Sequence, residues 1–422
     1  MVAIPLAWLQ LMREKTRLLV ALAGIGFAVI LMFMQLGFQD ALFESAINLH
    51  KNLQGDIFLI NPQSTALIAM QSFSQRRLFQ SLSYPEVESV SSIYLDLALW
   101  RNPETRGTRS ILILGIQPDG GIFNLPGIQE NIKKIQIPDV VLFDENSRAE
   151  FGPIPQQFRQ GKLVQTEVFG RRVTVGGLFK LGASFGADGN VITSDLNFRR
   201  IFTSRQPGLI DVGVIKLKPG SNINGALAEF RGDPPTPKES QFDWLLKSLN
   251  LSKKQLWTCQ DFLSSNRDRP YGLPKDICVL SKDEFMEFER SYWANGTAIG
   301  FIFPFGTAMG FIVGTVIVYQ ILYTDVMDHL TEYATLKAMG YTNLYLLSVV
   351  FQEAFILSIL GYFPALLLCI GLYDLTNKAT FLPIFMTTER ALVVLLLSIS
   401  MCVISGAIAV RKVQAADPAD IF

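Results

Sequence analysis

The sequence predicts an α-helical membrane protein with four transmembrane helices and a large α+β extracytoplasmic domain between the first and second of them. Three observations predict it. Hydrophobic residues make up 49% of the 422-residue chain and charged residues only 18%, whereas soluble domains are nearer a quarter charged. The apolar residues gather in four long runs, Leu18–Phe38, Gly296–Tyr323, Leu344–Tyr373 and Ala391–Val410, and only the third holds a charge, Glu353. The stretch between the first two runs reads instead as short β-branched segments bounded by Gly, Pro, Asn or Asp, the pattern of strands.

About 20 apolar residues cross a bilayer as a helix, and in lipid the backbone demands a helix or a closed barrel. Runs this long and uncharged are not ordinary core helices. Arg13, Lys15 and Arg17 precede the first run, and Gln39–Phe43 continue its helical pattern. With no small-residue cleavage site, the run reads as a retained anchor and not a signal peptide. The basic residues place the N-terminus in the cytoplasm. Four crossings return the C-terminus to that side, where Arg411 and Lys412 follow the last run. Residues 1–40 are thus an interfacial helix carrying Leu6, Trp8, Leu9 and Leu11, followed by the first span.

Residues 41–290 form the extracytoplasmic domain. Strands are expected at 55–60, 110–116, 139–144, 171–179, 190–195 and 211–218, and helices at 83–95 and 222–231. Gly182–Gly189, "GASFGADG", lacks the Lys-Ser/Thr end of a phosphate cradle and reads as a hairpin tip. Residues 231–275 are polar and Pro-rich around a helical pattern, and read as an insertion. Cys259 and Cys278 flank its end. A disulfide suits an oxidising compartment; two free buried cysteines are the alternative. Ser281–Trp293 begins with a capping box of Ser281 and Glu284, and is expected to run unbroken into the second span as a stalk; a packed amphipathic surface helix is the plainer alternative, and the two are not exclusive.

Residues 291–422 hold spans two to four, a short cytoplasmic helix and the tail. Gly306, Gly310 and Gly314 repeat at a spacing that lets helices approach closely in lipid, which marks them for transmembrane packing or a dimer. Asp325, Asp328 and Glu332 are read as the start of the short helix, where carboxylates suit the dipole, and Gly340 as its C-cap. Thr331, Thr335 and Ala338 give it a low-profile face. An ordinary solvated turn is the plainer alternative. Glu353, about two turns into the third span, is an intramembrane charge and by default functional, unless it snorkels. Cys369 and Cys402 read as core residues.

Other functions are excluded. Net charge is zero, so nothing neutralises a nucleic-acid backbone. Two histidines and no paired Cys spacing leave no familiar metal site. No GxxxxGK[ST] occurs, and no catalytic triad pattern is present.

The segment "TDVMDHLTEYATLKAMGYTNLYLLSVVFQEAFILSILGYF" (324–363) resembles the cytoplasmic coupling helix and following span of permeases in the macrolide-exporter and FtsX-like group, the type VII ABC transporter subunits. The close "RKVQAADPADIF" resembles their C-terminus. "LAWLQLMREKTRLLVALAGIGFAVILMFMQLGFQDALF", "DEFMEFERSYW" and "DPADIF" resemble the DevC branch, cyanobacterial permeases exemplified by a glycolipid exporter. The resemblance covers nearly the whole chain except 231–275. It implies a plasma-membrane homodimer that binds no cofactor itself. A separate cytoplasmic ABC ATPase, holding ATP and Mg, would dock on Asp328, Thr331, Glu332, Thr335, Leu336, Lys337 and Gly340. A periplasmic membrane-fusion adaptor and an outer-membrane channel would complete an export machine for lipid or glycolipid. Two alternatives stay open: an FtsX-like transducer that activates a cell-wall hydrolase, and a lipoprotein-releasing permease.

Overall fold

The structure is a computed structural model that describes residues 15–232, 272–274, 276–329, 331–332, 335 and 339–415. The expected N-terminal interfacial helix, nearly all of the 231–275 insertion, Cys259, Leu336, Lys337 and the last seven residues lie outside the described residues. The chain divides into a membrane unit, Met1–Ala41 with Ala298–Phe422, and an intervening unit, Leu42–Thr297.

Helix α1 (Lys15–Ala46) opens the described chain. The intervening unit begins with α2 (Asn48–Asn52) and β1 (Ile57–Ile60). Next come β2 (Phe73–Ser74), α3 (Gln75–Gln80), β3 (Val87–Arg101), β4 (Thr108–Ile116), α4 (Ile128–Asn131) and β5 (Val140–Asp144). After these come α5 (Ile154–Arg159), β6 (Gln165–Val168), β7 (Arg171–Phe179), β8 (Asn190–Ser194), α6 (Asp195–Ile201) and β9 (Leu209–Ile210). The unit ends with β10 (Val212–Leu217), α7 (Ile223–Arg231), β11 (Cys278–Ser281) and α8 (Lys282–Asn295).

Nine strands make one mixed sheet in the order β11-β1-β10-β3-β4-β8-β5-β7-β6, with β4–β8 and β5–β7 parallel. The far edge curls back, so that β6 also meets β3 at the pair Trp100–Val168. Both faces of the sheet are covered. In β1, Ile57 and Leu59 enter one core while Phe58 and Ile60 enter the other, the period-two alternation of a strand. Trp100, Phe143, Phe151 and Phe198 fill the first core; Phe285 and Phe288 of α8 cap the second.

The strands expected from β-branched runs form where the sequence places them. Three expectations for this unit do not hold. In place of the helix expected at 83–95, Val87–Arg101 is the longest strand of the sheet. Val87, Val90 and Tyr94 have helical spacing, yet β-branched residues and serines are weak helix formers, and pairing with β10 and β4 decides the outcome. Gly182–Gly189 is not a hairpin tip. It links β7 to β8, which are not neighbours, and is tied down: Asp144 accepts from the Leu181 and Gly182 N–H groups, and Phe185 packs edge-on against Trp293. The stalk is not continuous either. The capping box of Ser281 and Glu284 starts α8, but the helix stops at Asn295 and the next begins at Ile299. Gly296 weakens the helix there, and the Thr297 hydroxyl donates to the Trp293 carbonyl, a side-chain competitor to the backbone ladder.

The membrane unit consists of α1 with α9 (Ile299–Asp328), α10 (Asn343–Thr380) and α11 (Thr388–Ala415). Lys15–Ala46, Ile299–Asp328, Ser348–Thr380 and Thr388–Ala409 are each long and apolar enough to cross a membrane. Their shared core includes Ile25, Val29 and Phe33 of α1, Val318 of α9, Tyr373 of α10 and Met401 of α11. Phe301, Phe305, Phe363, Leu367 and Leu396 point outward, as lipid-facing side chains do. Cys369 and Cys402 are free and buried, and Cys278 is disulfide-bonded.

Candidate functional site: the segment after the second span and the carboxyl pair beside it

Helix α9 outlasts its apolar run by a turn, so Asp325 and Asp328 are its last residues and not the start of the next helix. This corrects the dipole argument for both, because carboxylates at a helix C-terminus are disfavoured. Arg17 of α1 supplies the compensation. Its Nη2 donates to Asp328, and its Nη1 lies 3.8 Å from Asp325 Oδ1. His329 closes the helix, with Nδ1 donating to the Asp325 carbonyl at 3.0 Å.

The described residues that follow are open to solvent. Thr331, Glu332, Thr335 and Gly340 are exposed, as is Asp328. Thr331, Glu332 and Thr335 are helical, and the Thr335 hydroxyl donates to the Thr331 carbonyl. Gly340 has φ +93°, a left-handed turn that suits glycine after a helix.

Glu353 does not snorkel. It is fully buried in α10, and neither carboxyl oxygen has a donor among the described residues. Its polar neighbour is the Asp325 carboxyl. Two carboxyls in contact repel when both are charged, and an unpaired charge in a bilayer is costly. The structure thus brings together Arg17, Asp325, Asp328, His329 and Glu353, from three helices. The sequence had placed Arg17 only as a topology signal, and no local spacing links it to residues more than 300 positions away.

The glycine stripe is occupied within the chain. A Cβ on Gly306 would stand 2.6 Å from Gln35, and one on Gly314 would meet Ala28 at 2.7 Å and collide with Met401. Gly310 faces Met32 and Leu31. These glycines therefore seat α9 against α1, and Gly314 also admits α11. At the opposite end of α1, sequence reading missed a second polar lock. Arg390 donates to Asp40 at 2.7 Å and to the Phe385 carbonyl at 2.7 Å, and lies over the Tyr373 ring. The Tyr373 hydroxyl donates to the Phe33 carbonyl. The signal was Arg390 itself, a cation at the mouth of an apolar run.

Four helices of this length and apolarity, with an intervening α+β unit, define an integral membrane protein. Residues 304–418 match the FtsX-like permease C-terminal family. The chain therefore carries an FtsX-like permease domain, of the family of ABC transporter permease subunits. No curated protein matches the chain. Among solved structures, the periplasmic region of MacB from Actinobacillus actinomycetemcomitans is 14% identical, covering 56% of this chain and 92% of that one, with a TM-score of 0.31. The extracellular domain of the noncanonic ABC-type transporter YknZ from Gram-positive bacteria is 17% identical, covering 40% and 87%, with a TM-score of 0.28.

Proposed function

We propose that this chain is the permease subunit of an export complex, and that it transmits the motion of a separate ATPase across the membrane. The carrying observation is that the FtsX-like match spans the second to fourth helices and includes the exposed residues Thr331, Glu332, Thr335 and Gly340. In this reading the intervening unit is periplasmic and both termini are cytoplasmic. The ATPase, which holds ATP and Mg, closes around its nucleotide and moves that segment. Two copies of the permease work together, and the periplasmic units act on an adaptor and an outer-membrane channel. Lipid or glycolipid is the cargo, by resemblance to the DevC branch. Asp328, Thr331, Glu332, Thr335, Leu336, Lys337 and Gly340 form the docking segment.

Tagged permease is purified from detergent and its co-purifying proteins identified. An ABC ATPase together with a membrane-fusion adaptor supports the export complex. An ATPase with a cell-wall hydrolase and no adaptor replaces export with the transducer function. Absence of any ATPase, under conditions that retain other membrane complexes, overturns both.

A further inference from the structure

The coupling role leaves Glu353 unused. Its side chain is fully buried in α10, where α9, α10 and α11 pack together. A Cβ on Gly406 of α11 would stand 3.5 Å from Ala354, the next residue of α10, and 3.8 Å from Leu322 of α9. Leu322 is one turn before Asp325, whose carboxyl reaches Glu353. Neither Glu353 oxygen receives a hydrogen bond. A buried polar atom without a partner calls for an explanation, and here both oxygens of one carboxyl need it.

The charges nearby do not supply a donor. Arg17 of α1 donates to Asp328, and its Nη1 lies 3.8 Å from Asp325 Oδ1. His329 Nδ1 donates to the Asp325 carbonyl and lies 3.7 Å from the same Oδ1. Both cationic side chains therefore address the end of α9. Asp325 is the single charged group that acts on Glu353, and α11 brings a glycine to this level. Two carboxylates in contact repel, and a buried charge without a partner is costly.

One proton answers both problems. A protonated carboxyl is a donor, and the Asp325 carboxylate is the acceptor within reach. A hydrogen bond from an acid to a carboxylate is of the strong, charge-assisted kind. The pair then carries one negative charge in place of two, on the side where Arg17 lies. A metal ion fits less well. It would sit beside the Arg17 guanidinium, and among the described residues no three His, Cys, Asp or Glu side chains gather as ligands.

We infer that the α9–α10 contact is a proton-binding site, in which Glu353 holds one proton and donates it in a hydrogen bond to Asp325. Release of that proton to water leaves two carboxylates facing each other inside the helix packing. The end of α9 and the start of α10 must then part or admit water, so occupancy of the site sets how tightly the two helices are held together there. This inference goes beyond the coupling role and stands whether or not an ATPase docks.

The test is infrared spectroscopy of the full-length permease in detergent at neutral pH, read at the carbonyl stretch of protonated carboxylic acids. All spectra are taken in a Glu289→Gln background, because burial also holds that acid of the intervening unit protonated up to about pH 7. The expected result is a protonated-acid band that is lost in Glu353→Gln, with the melting temperature kept. Asp325→Asn replaces the carboxylate acceptor by an amide and should displace the band or remove it. A merely structural role for either residue would leave the band where it is. No protonated-acid band, a band that survives Glu353→Gln intact, or one that keeps its frequency in Asp325→Asn overturns the site. Should Glu353→Gln fail to fold, the Asp325→Asn spectrum decides alone.

Discussion

The two units bury their carboxyls in opposite ways. In the intervening unit every deeply buried acid among the described residues is surrounded by donors. Asp144 accepts from the Leu181, Gly182 and Asn146 N–H groups and from Asn190 Nδ2. Asp211 accepts from Ser72, the Leu95 N–H and Arg205. Glu289 accepts the Leu67 N–H at 2.7 Å and Trp293 Nε1 at 2.8 Å. In the membrane unit, Glu353 is as deeply buried with no donor at either oxygen among the described residues, and faces Asp325. Satisfied buried networks rigidify and specify a unique packing, whereas an unsatisfied group asks for another explanation. The intervening unit is thus braced around its acids. In the membrane unit the donorless acid lies against Asp325, near the end of α9 and the exposed residues that follow it.

The largest effect should come from breaking the bracing. Asp144→Ala leaves three backbone N–H groups and the Asn190 amide without their acceptor, and these donors hold the 181–190 connection in place. Leaving a buried donor without its acceptor costs about 1–3 kcal/mol for each group. Hydrogen exchange on the full chain should show the amides of Leu181 and Gly182 opening, with a clear drop in melting temperature. Unchanged protection at 181–190 would show that the loop is held by packing of Phe185 on Trp293 instead.

A smaller effect, with a sign set by pH, belongs to Glu289. Burial pushes its carboxyl up to about 7 from an ordinary value of 4.5, against the two hydrogen bonds that favour the ionised form. Between those values the folded state holds a proton that the unfolded state has released. Stability contributed by the protonated form is therefore fully present below about pH 4.5 and is lost as pH rises through about 7. The change is on the order of 3 kcal/mol. Melting of the full chain should fall over that window, and Glu289→Gln should flatten this component. An identical slope in the variant would assign the pH dependence to another group.

How much of this was legible in the sequence follows from the range of the forces. The span boundaries and strands such as Arg171–Phe179 rest on local composition, and they read directly. The helix read at 83–95 failed because Val87, Val90 and Tyr94 mimic helical spacing, while the partners that make it a strand lie at 108–116 and 212–217. The glycines of α9 were legible as small packing residues, but nothing local says that Gln35, Ala28 and Met401 fill the space beside them. The loop segment after α9 could be found by pattern. The Asp325–Glu353 pair could not, because it forms only when α9 and α10 pack side by side.

Glu353→Gln should be nearly silent. Neither oxygen loses a donor, the shape is kept, and the new amide can donate to Asp325. A shift in full-chain stability of less than about 1 kcal/mol is expected. A large loss would mean that Glu353 has an ionic role and would erase the contrast between the units.

The smallest effect on stability, with the most telling effect on function, is expected at Glu332. Its side chain is exposed on the segment after α9, and a substitution at an exposed position away from caps and cores stays within about 0.5 kcal/mol. Glu332→Lys reverses the charge that a docking partner would meet at the interface, and like-charge contacts there are costly. Membrane insertion and melting should match the parent chain, while ATPase association and its stimulation by the permease fall at least tenfold. Intact stimulation with the reversed charge would remove Glu332 from the docking surface. Loss of both folding and coupling would place the residue in the same bracing role as the buried acids, and would erase the difference between the two regions.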